Sequence, residues 1–328
     1  MKKQILWAIC ALGMLFSITS CERDGIYSPE KRISKIYRDE GDGLKLYQTW
    51  FWEGKRLQSI VCPFNGGNNI SEFRYNKHKQ LDTILMKACK FFSDRSDTVT
   101  KGCMVFYYDN NGKHLDSFDI FVGKTFSTKT AHYEFAYQSG KLSGYQLERY
   151  YSYKNYENQI DESVLQLFFP ELFGLELNPR SIRAENDKGI DFVERYSASF
   201  TYHDENIVKC VLTRLVSPKQ KETYDYTFTN FKNPFLSMYQ GGNPESVSTH
   251  NRNLVKSYHL SAVDIEDPDF PIEYVDCDYR YDILDGYPTQ RIEEQKLYWG
   301  NLENYFEGDI PDVDTTYTTR IFRYEYLQ

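Results

Sequence analysis

The sequence lacks the motifs that identify the common classes of enzyme and metal site. It contains no His-Glu-x-x-His, Gly-x-Ser-x-Gly or Cys-x-x-Cys motif, and no glycine-rich phosphate loop. Six histidines are scattered along the chain without metal-ligand spacing. We therefore predict no catalytic residues, no bound metal and no cofactor, and we expect a protein that is not an enzyme.

The chain also has no excess of basic residues. Lysine and arginine total 39 against 47 aspartate and glutamate, which gives a net charge of -8. Because no run of basic residues offsets this balance, we do not expect a nucleic-acid partner. Aromatic residues make up 16% of the chain, with 28 tyrosines and 22 phenylalanines, and this richness favours strands over helices.

A hairpin-like pattern recurs along the chain. Residues 106–118 place Phe and Tyr before Asn111-Gly112, and an apolar alternation follows. Asn-Gly provides two residues that tolerate positive φ, as a two-residue hairpin turn requires. Similar patterns of aromatic-x-aromatic, polar turn and Leu or Ile occur at residues 50–60, 73–84, 133–142, 200–207, 279–292 and 323–326.

These hairpins predict the architecture. One hairpin cannot bury its aromatic face alone, whereas hairpins stacked side by side can bury it. We therefore predict an all-β fold, an antiparallel meander of stacked hairpins that forms a large curved sheet or half-open barrel. A small helical insertion is expected at about residues 155–180, where apolar residues recur every three or four positions. Residues 32–328 are expected to form a single domain.

The N-terminus resembles a bacterial lipoprotein signal. A short basic start precedes an apolar stretch that is too short for a comfortable membrane span. Ile18, Thr19, Ser20 and Cys21 then match a lipobox, in which the cysteine is lipidated. We predict a signal peptide over residues 1–20, lipidation of Cys21 and a tether over residues 21–31. The alternative is an ordinary secretory signal with a chance cysteine.

Three features carry a family resemblance: the hairpins, the Asn233-Pro234-Phe235 element and the segment from Tyr281 to Thr289. Together they resemble an uncharacterised family of Bacteroidetes outer-membrane lipoproteins with YD-like hairpin repeats. These repeats are distantly similar to Rhs repeats. The resemblance covers roughly residues 30–328. It implies a β domain anchored by its lipid to the cell outer membrane, facing either the periplasm or the cell surface. The family defines no catalytic residues, so none carry over.

Candidate binding residues come from the few tryptophans. Trp50 and Trp52 share one strand face beside a predicted turn, and Trp299 precedes Gly300 in a predicted exposed loop. Aromatic ring faces stack on sugars, so these three residues are candidates for glycan binding. The alternative is that the rings form the core of the sheet.

Two covalent features are also predicted. Cys89 and Cys103 are equidistant from Ser96, so a symmetric hairpin would place them opposite each other at disulfide distance. Buried free thiols are the alternative. Asp97-Thr98-Val99 resembles the Bacteroidetes O-glycosylation pattern, which makes Thr98 the candidate acceptor.

Two functions remain open at this point. The first is a non-catalytic binding module for a glycan, held at the membrane by its N-terminal lipid. The second is a structural or assembly protein that binds another envelope protein. A concave aromatic strip would favour the first, whereas a wide apolar patch or an open sheet edge would favour the second.

Overall fold

A computed structural model describes residues 24–91, 96–122, 128–151, 192–216, 219–236, 250–265, 271–300 and 313–327. These residues form sixteen antiparallel strands. The strands are β1 Ile33–Asp39, β2 Lys45–Glu53, β3 Arg56–Phe64, β4 Gly67–Tyr75, β5 Leu81–Phe91, β6 Ser96–Tyr108, β7 Leu115–Val122, β8 Thr128–Gln138, β9 Lys141–Tyr151, β10 Phe192–His203, β11 Asn206–Arg214, β12 Gln220–Lys232, β13 Asn253–Asp264, β14 Pro271–Leu284, β15 Tyr287–Gly300 and β16 Val313–Tyr326.

The strands form a closed barrel. Each strand pairs with its neighbours in sequence, and β1 pairs with β16, from Ile33 opposite Tyr326 to Asp39 opposite Ile321. The predicted antiparallel meander is confirmed, whereas the predicted open or half-open sheet is wrong. Closure removes the free sheet edges that an open meander would expose.

The described ranges contain strands and turns but no helix. The helical insertion predicted at about residues 155–180 lies outside those ranges, as do the signal peptide and Cys21. Within the part of the chain that the structure describes, we find no helix with the length and apolar character needed to cross a bilayer.

The sequence repeat forms one end of the barrel. In an antiparallel meander, the seven turns β2–β3, β4–β5, β6–β7, β8–β9, β10–β11, β12–β13 and β14–β15 all lie at the same end, which we call the repeat rim. Six of these turns are those of the predicted hairpins. Asp285 and Gly286, for example, both have positive φ, as a two-residue hairpin turn requires.

A β-bulge follows every turn of the repeat rim and explains the spacing of the repeat. The extra residues are Gln58, Asp82, Asp116, Ser143, Val208, Lys256 and Thr289. In a regular strand, residues three apart face opposite sides of the sheet. The bulge places both on one side, so that Leu57 and Ile60 are both buried, as are Leu81 and Ile84.

Tyrosine hydroxyls form hydrogen bonds from five of the strands to the strand that precedes each of them in the barrel. Tyr75 Oη donates to the carbonyl of Leu57 (2.6 Å), and Tyr108 Oη donates in the same way to Leu81 (2.6 Å). The equivalent bonds run from Tyr137 to Leu115, from Tyr281 to Val255 and from Tyr326 to Pro288. Burial raises the pKa of Tyr75 to about 12, so it remains a donor at neutral pH. The repeated tyrosine therefore has a structural role between neighbouring hairpins.

The apolar face of the wall points into the barrel. Phe235, in the β12–β13 connection, has its ring 6.2 Å from Trp50 in β2 and 6.2 Å from Tyr324 in β16. These partners lie several strands away around the wall, so Phe235 reaches them across the interior. The same face carries two buried clusters, one spread over β1–β11 and β16 and one over β11–β14.

Residues 24–32 lie across the repeat rim and close it; we call them the N-terminal strap. At one end, the amide of Asp24 donates to the carbonyl of Lys113 (2.9 Å) in the β6–β7 turn. At the other end, Lys31 pairs with Asp285 (3.0 Å) in the β14–β15 turn. Between them, the Tyr27 hydroxyl donates to the carbonyl of Pro234 (2.8 Å). The tether predicted over residues 21–31 is therefore shorter, because the chain belongs to the folded domain from residue 24.

Asp24 is the main attachment point of the strap. Its side-chain oxygen accepts from the Tyr137 hydroxyl (2.8 Å) and from the Leu115 amide (3.0 Å), and it lies 3.3 Å from His114 Nδ1. Gln80 Nε2 donates to the Asp24 carbonyl (2.9 Å). These contacts satisfy a carboxylate that is only 8% exposed, as a buried charge requires.

The interior also contains charged pairs. Glu293 pairs with Arg320 at 2.8 Å, and Glu194 pairs with Arg214 at 2.6 Å; all four side chains are buried. The guanidinium of Arg291 lies 4.0 Å from the centre of the Phe322 ring. The barrel interior is therefore filled by aromatic and paired ionic side chains.

Candidate functional site

The tryptophans proposed for glycan binding do not form an exposed site. Trp50 is 3% exposed, and its Nε1 donates to Gln48 (2.8 Å) inside the barrel. Trp52 Nε1 donates to the carbonyl of Ile33 (2.7 Å), and its ring packs near Tyr27 of the strap. Both rings belong to the core, so their predicted binding role is wrong. Trp299 lies in strand β15, opposite Glu273, and not in the predicted loop.

The predicted disulfide geometry is also wrong. Cys89 is opposite Thr98, and Cys103 is opposite Leu85. Cys89 and Cys103 are both buried free thiols, which was the alternative considered. Thr98 is exposed in β6, and its O-glycosylation remains a prediction.

The outer wall carries paired charges along the middle of the strands. Asp119 pairs with Lys129 (2.6 Å), Glu148 with Arg195 (2.9 Å) and Lys209 with Asp225 (3.1 Å). Further pairs join Glu72 to Lys87 and Arg280 to Glu294. On the lipid side of a membrane barrel, an arginine or lysine near the bilayer midplane costs about 2–4 kcal/mol. The wall is therefore suited to water.

The candidate site is a cavity of about 640 Å³ on the exposed face of β12–β16. Its lining includes Tyr317, which is 72% exposed and is the most exposed large apolar or aromatic side chain among the described residues. The other exposed or half-buried side chains of the lining are polar, and they include Asp225, Thr227, Ser257, His259, Asp276, Asp278, Glu294, Lys296 and Thr319.

The charged side chains of this cavity contact one another and the neighbouring aromatic rings. His259 Nδ1 lies 2.7 Å from Asp276 Oδ1, across the β13–β14 ladder. Lys296 lies over two rings of the same face, 4.4 Å from the centre of Tyr298 and 5.6 Å from that of Tyr317. A hydrogen bond to Tyr298 raises the pKa of Lys296, which keeps this lysine charged. Four carboxylates line the cavity with Lys296, and two of them, Asp225 and Glu294, are paired with Lys209 and Arg280 at its border.

The arrangement combines an exposed ring with many fixed hydrogen-bonding groups. The Thr227 and Ser257 hydroxyls are 2.6 Å apart, and carboxylates line the cavity beside them. Sugar hydroxyls both donate and accept hydrogen bonds, so such a surface is suited to a polyhydroxylated ligand. A search of the described residues finds no cluster of three or more His, Cys, Asp or Glu side chains that is suited to a metal ion.

Tyr317 was not among the binding residues predicted from the sequence, although the sequence pattern of β16 indicates that its side chain faces outward. In β16, the inward residues Phe322, Tyr324 and Tyr326 all have even numbers. Because side chains alternate along a strand, the odd-numbered Tyr317 faces outward, and no bulge interrupts the β15–β16 pairing. Alternation within this one strand would have separated Tyr317 from the core aromatics.

Comparison with known proteins adds little to this picture. No protein-family model matches the sequence, and no curated protein matches it significantly. A solved structure of a porin-like protein from Bacteroides uniformis aligns over 93% of this chain and 100% of its own, with 9% sequence identity and a TM-score of 0.36. That score is too low to transfer fold or function. Membership of the lipoprotein family with YD-like repeats therefore remains a prediction.

Proposed function

We propose that this chain is a lipid-anchored protein of the bacterial outer membrane whose water-facing barrel binds a glycan without catalysis. The observation that carries the proposal is the exposed Tyr317 ring in a polar cavity. The lipobox at Ile18–Cys21 supports the anchor, and the charged outer wall favours a barrel that stands outside the bilayer.

The charges of the cavity restrict the ligand. Asp276 and Asp278 would repel an acidic sugar, whereas the charges of Asp225 and Glu294 are balanced by Lys209 and Arg280. A neutral or amine-bearing glycan fits better, with one sugar face on Tyr317 and its hydroxyls on the surrounding side chains. Buried aromatic contacts dominate binding energy, so Tyr317 is expected to contribute most.

The closed barrel weighs against the structural alternative. It leaves no unpaired edge on which a partner strand could add. Exposed large hydrophobic residues, such as Phe51, Phe91 and Leu284, are distributed over strands on different sides of the barrel. The closed sheet therefore favours a glycan ligand over a partner that adds a strand.

A glycan array with the mature chain (residues 21–328, Cys21→Ser) tests the proposal. We expect binding to neutral or amine-bearing glycans, and we expect Tyr317→Ala to weaken it by about 1–2 kcal/mol, or roughly 5–30-fold. Tyr107→Ala is the matched control, because Tyr107 is exposed on the outer wall at β6, away from the cavity. Absence of binding to every glycan would refute the proposal and favour a protein partner.

A further inference from the structure

The repeat rim has an uneven charge distribution. On the half of the rim formed by β2–β9, the turns present a group of exposed basic residues that we call the basic arc: Lys55, Arg56, Lys77, Lys79, Lys113 and Lys141. This half also carries four carboxylates, those of Glu53, Asp82, Asp109 and Asp116. Six basic residues against four acidic ones leave a positive balance of two at these turns. The basic arc is a local exception on a chain with a net charge of -8.

The other half of the rim carries carboxylates, two of which are paired with basic residues. The β10–β11 and β14–β15 turns carry Asp204, Glu205 and Asp285. Glu205 pairs with Arg252, and Asp285 pairs with Lys31. Positive charge is therefore concentrated on one side of this end of the barrel.

The chain enters the fold beside the basic arc. Asp24 is hydrogen-bonded to Lys113 in the β6–β7 turn, and only two residues separate it from Cys21 in the sequence. An extended chain spans at most about 3.6 Å per residue, so a separation of three residues corresponds to no more than roughly 11 Å. A lipid on Cys21 would hold this end of the barrel against the bilayer.

We propose that the basic arc docks on the anionic headgroups of the membrane that holds the lipid. The barrel then stands on its repeat rim, and the far rim points away from the bilayer. This inference rests on the lipid anchor of the proposed function, and two observations carry it: the three-residue separation of Cys21 and Asp24 in the sequence and the charge complementarity between the arc and headgroup phosphates. Docking fixes the orientation of the barrel, which a flexible anchor alone would leave free.

Vesicle binding of the mature chain with Cys21→Ser tests the arc without any lipid on the protein. Sedimentation with phosphatidylcholine vesicles is compared with and without phosphatidylglycerol. We expect binding only to the anionic vesicles. A basic residue near the surface contributes about fivefold, so loss of three lysines weakens binding about a hundredfold. The triple variant Lys55→Glu, Lys77→Glu, Lys113→Glu also adds three negative charges and is therefore expected to bind at least about a hundredfold more weakly.

The matched control makes the same charge change at the far rim, with Lys90→Glu, Lys219→Glu and Lys221→Glu. These lysines are also exposed, and we expect this variant to bind like the parent protein. Equal loss in both triple variants would overturn the docking proposal, as would a lack of binding to anionic vesicles. Release of the protein by inorganic phosphate at a matched phosphate concentration would also overturn it, since the arc would then bind a soluble anion.

The anchor and the glycan site are tested separately. Fatty-acid labelling of the protein in its host, with Cys21→Ser as control, reports on the lipid. The glycan array reports on the cavity at Tyr317. Neither result changes the vesicle measurement, so failure of the docking proposal is distinguishable from failure of the proposed function.

Discussion

Gly25 of the N-terminal strap is predicted to be essential for closing the repeat rim. It has a φ of +76°, and a Cβ atom there would lie 1.9 Å from Tyr108 Oη and 2.8 Å from its Cζ. Positive φ costs a non-glycine residue about 1–2 kcal/mol. Displacing the Tyr108 ring also loses its hydrogen bond to Leu81 and leaves a buried acceptor unpaired, which costs about 1–3 kcal/mol. Gly25→Ala is therefore expected to destabilise the fold by roughly 2–5 kcal/mol.

Gly140→Ala is the matched control for this prediction. Gly140 has the same φ of +76°, but a Cβ atom there would meet nothing within 4 Å. Denaturant unfolding of both variants is expected to show the larger loss of free energy of unfolding for Gly25→Ala. Adding Tyr108→Phe is expected to relieve part of the loss, because it removes the atom that clashes most. An equal loss for the two glycine variants would refute the close packing of the strap.

Three further changes test the interior of the barrel. Arg320→Met removes the closer partner of the buried Glu293, which keeps only Arg291 at 3.5 Å, and is expected to cost up to about 3–5 kcal/mol. Arg280→Met on the outer wall is expected to cost less than about 1 kcal/mol. Denaturant unfolding compares the two variants, and equal costs would contradict the assignment of inner and outer faces. Tyr75→Phe removes one bond between hairpins and is expected to cost about 1 kcal/mol in the same assay, and an unchanged stability would argue against that role. Burial lowers the pKa of His250 from its usual 6.5 to about 4 in the folded protein. Between these pH values the unfolded chain binds a proton that the folded protein does not bind, so thermal stability is expected to fall as the pH drops from about 6.5 to about 4. A fall of the same size in His250→Gln would contradict this explanation.

The hairpin turns were predictable because their signals are local. Asn111-Gly112 and Asp285-Gly286 mark turns by their own conformational preferences. The structure confirms the two-residue turn at Asp285-Gly286, whereas β6 and β7 are joined by a longer turn over residues 109–114, in which only Gly112 of the pair has positive φ. Closure was not predictable in the same way. It depends on pairing between β1 and β16, at opposite ends of the sequence, and no local pattern specifies such a contact.

The errors at individual sites share one cause, which is strand register. The symmetric hairpin centred on Ser96 placed Cys89 opposite Cys103, but β5 ends at Phe91, which pairs with Ser96, so the true centre lies earlier. The exposure of Trp50 likewise depended on which face of the strand turns inward. Strand alternation alone does not say which face is covered, because the covering residues come from distant parts of the chain, such as Phe235.

The central claim is that the barrel has an apolar interior and a wall that faces water. The most direct test is to express the mature chain with Cys21→Ser and to purify it without detergent. We predict a monomer in aqueous buffer with a β-rich circular dichroism spectrum and cooperative unfolding. A protein that folds only in detergent or lipid, and that aggregates without it, would contradict the claim and indicate a wall that spans the membrane.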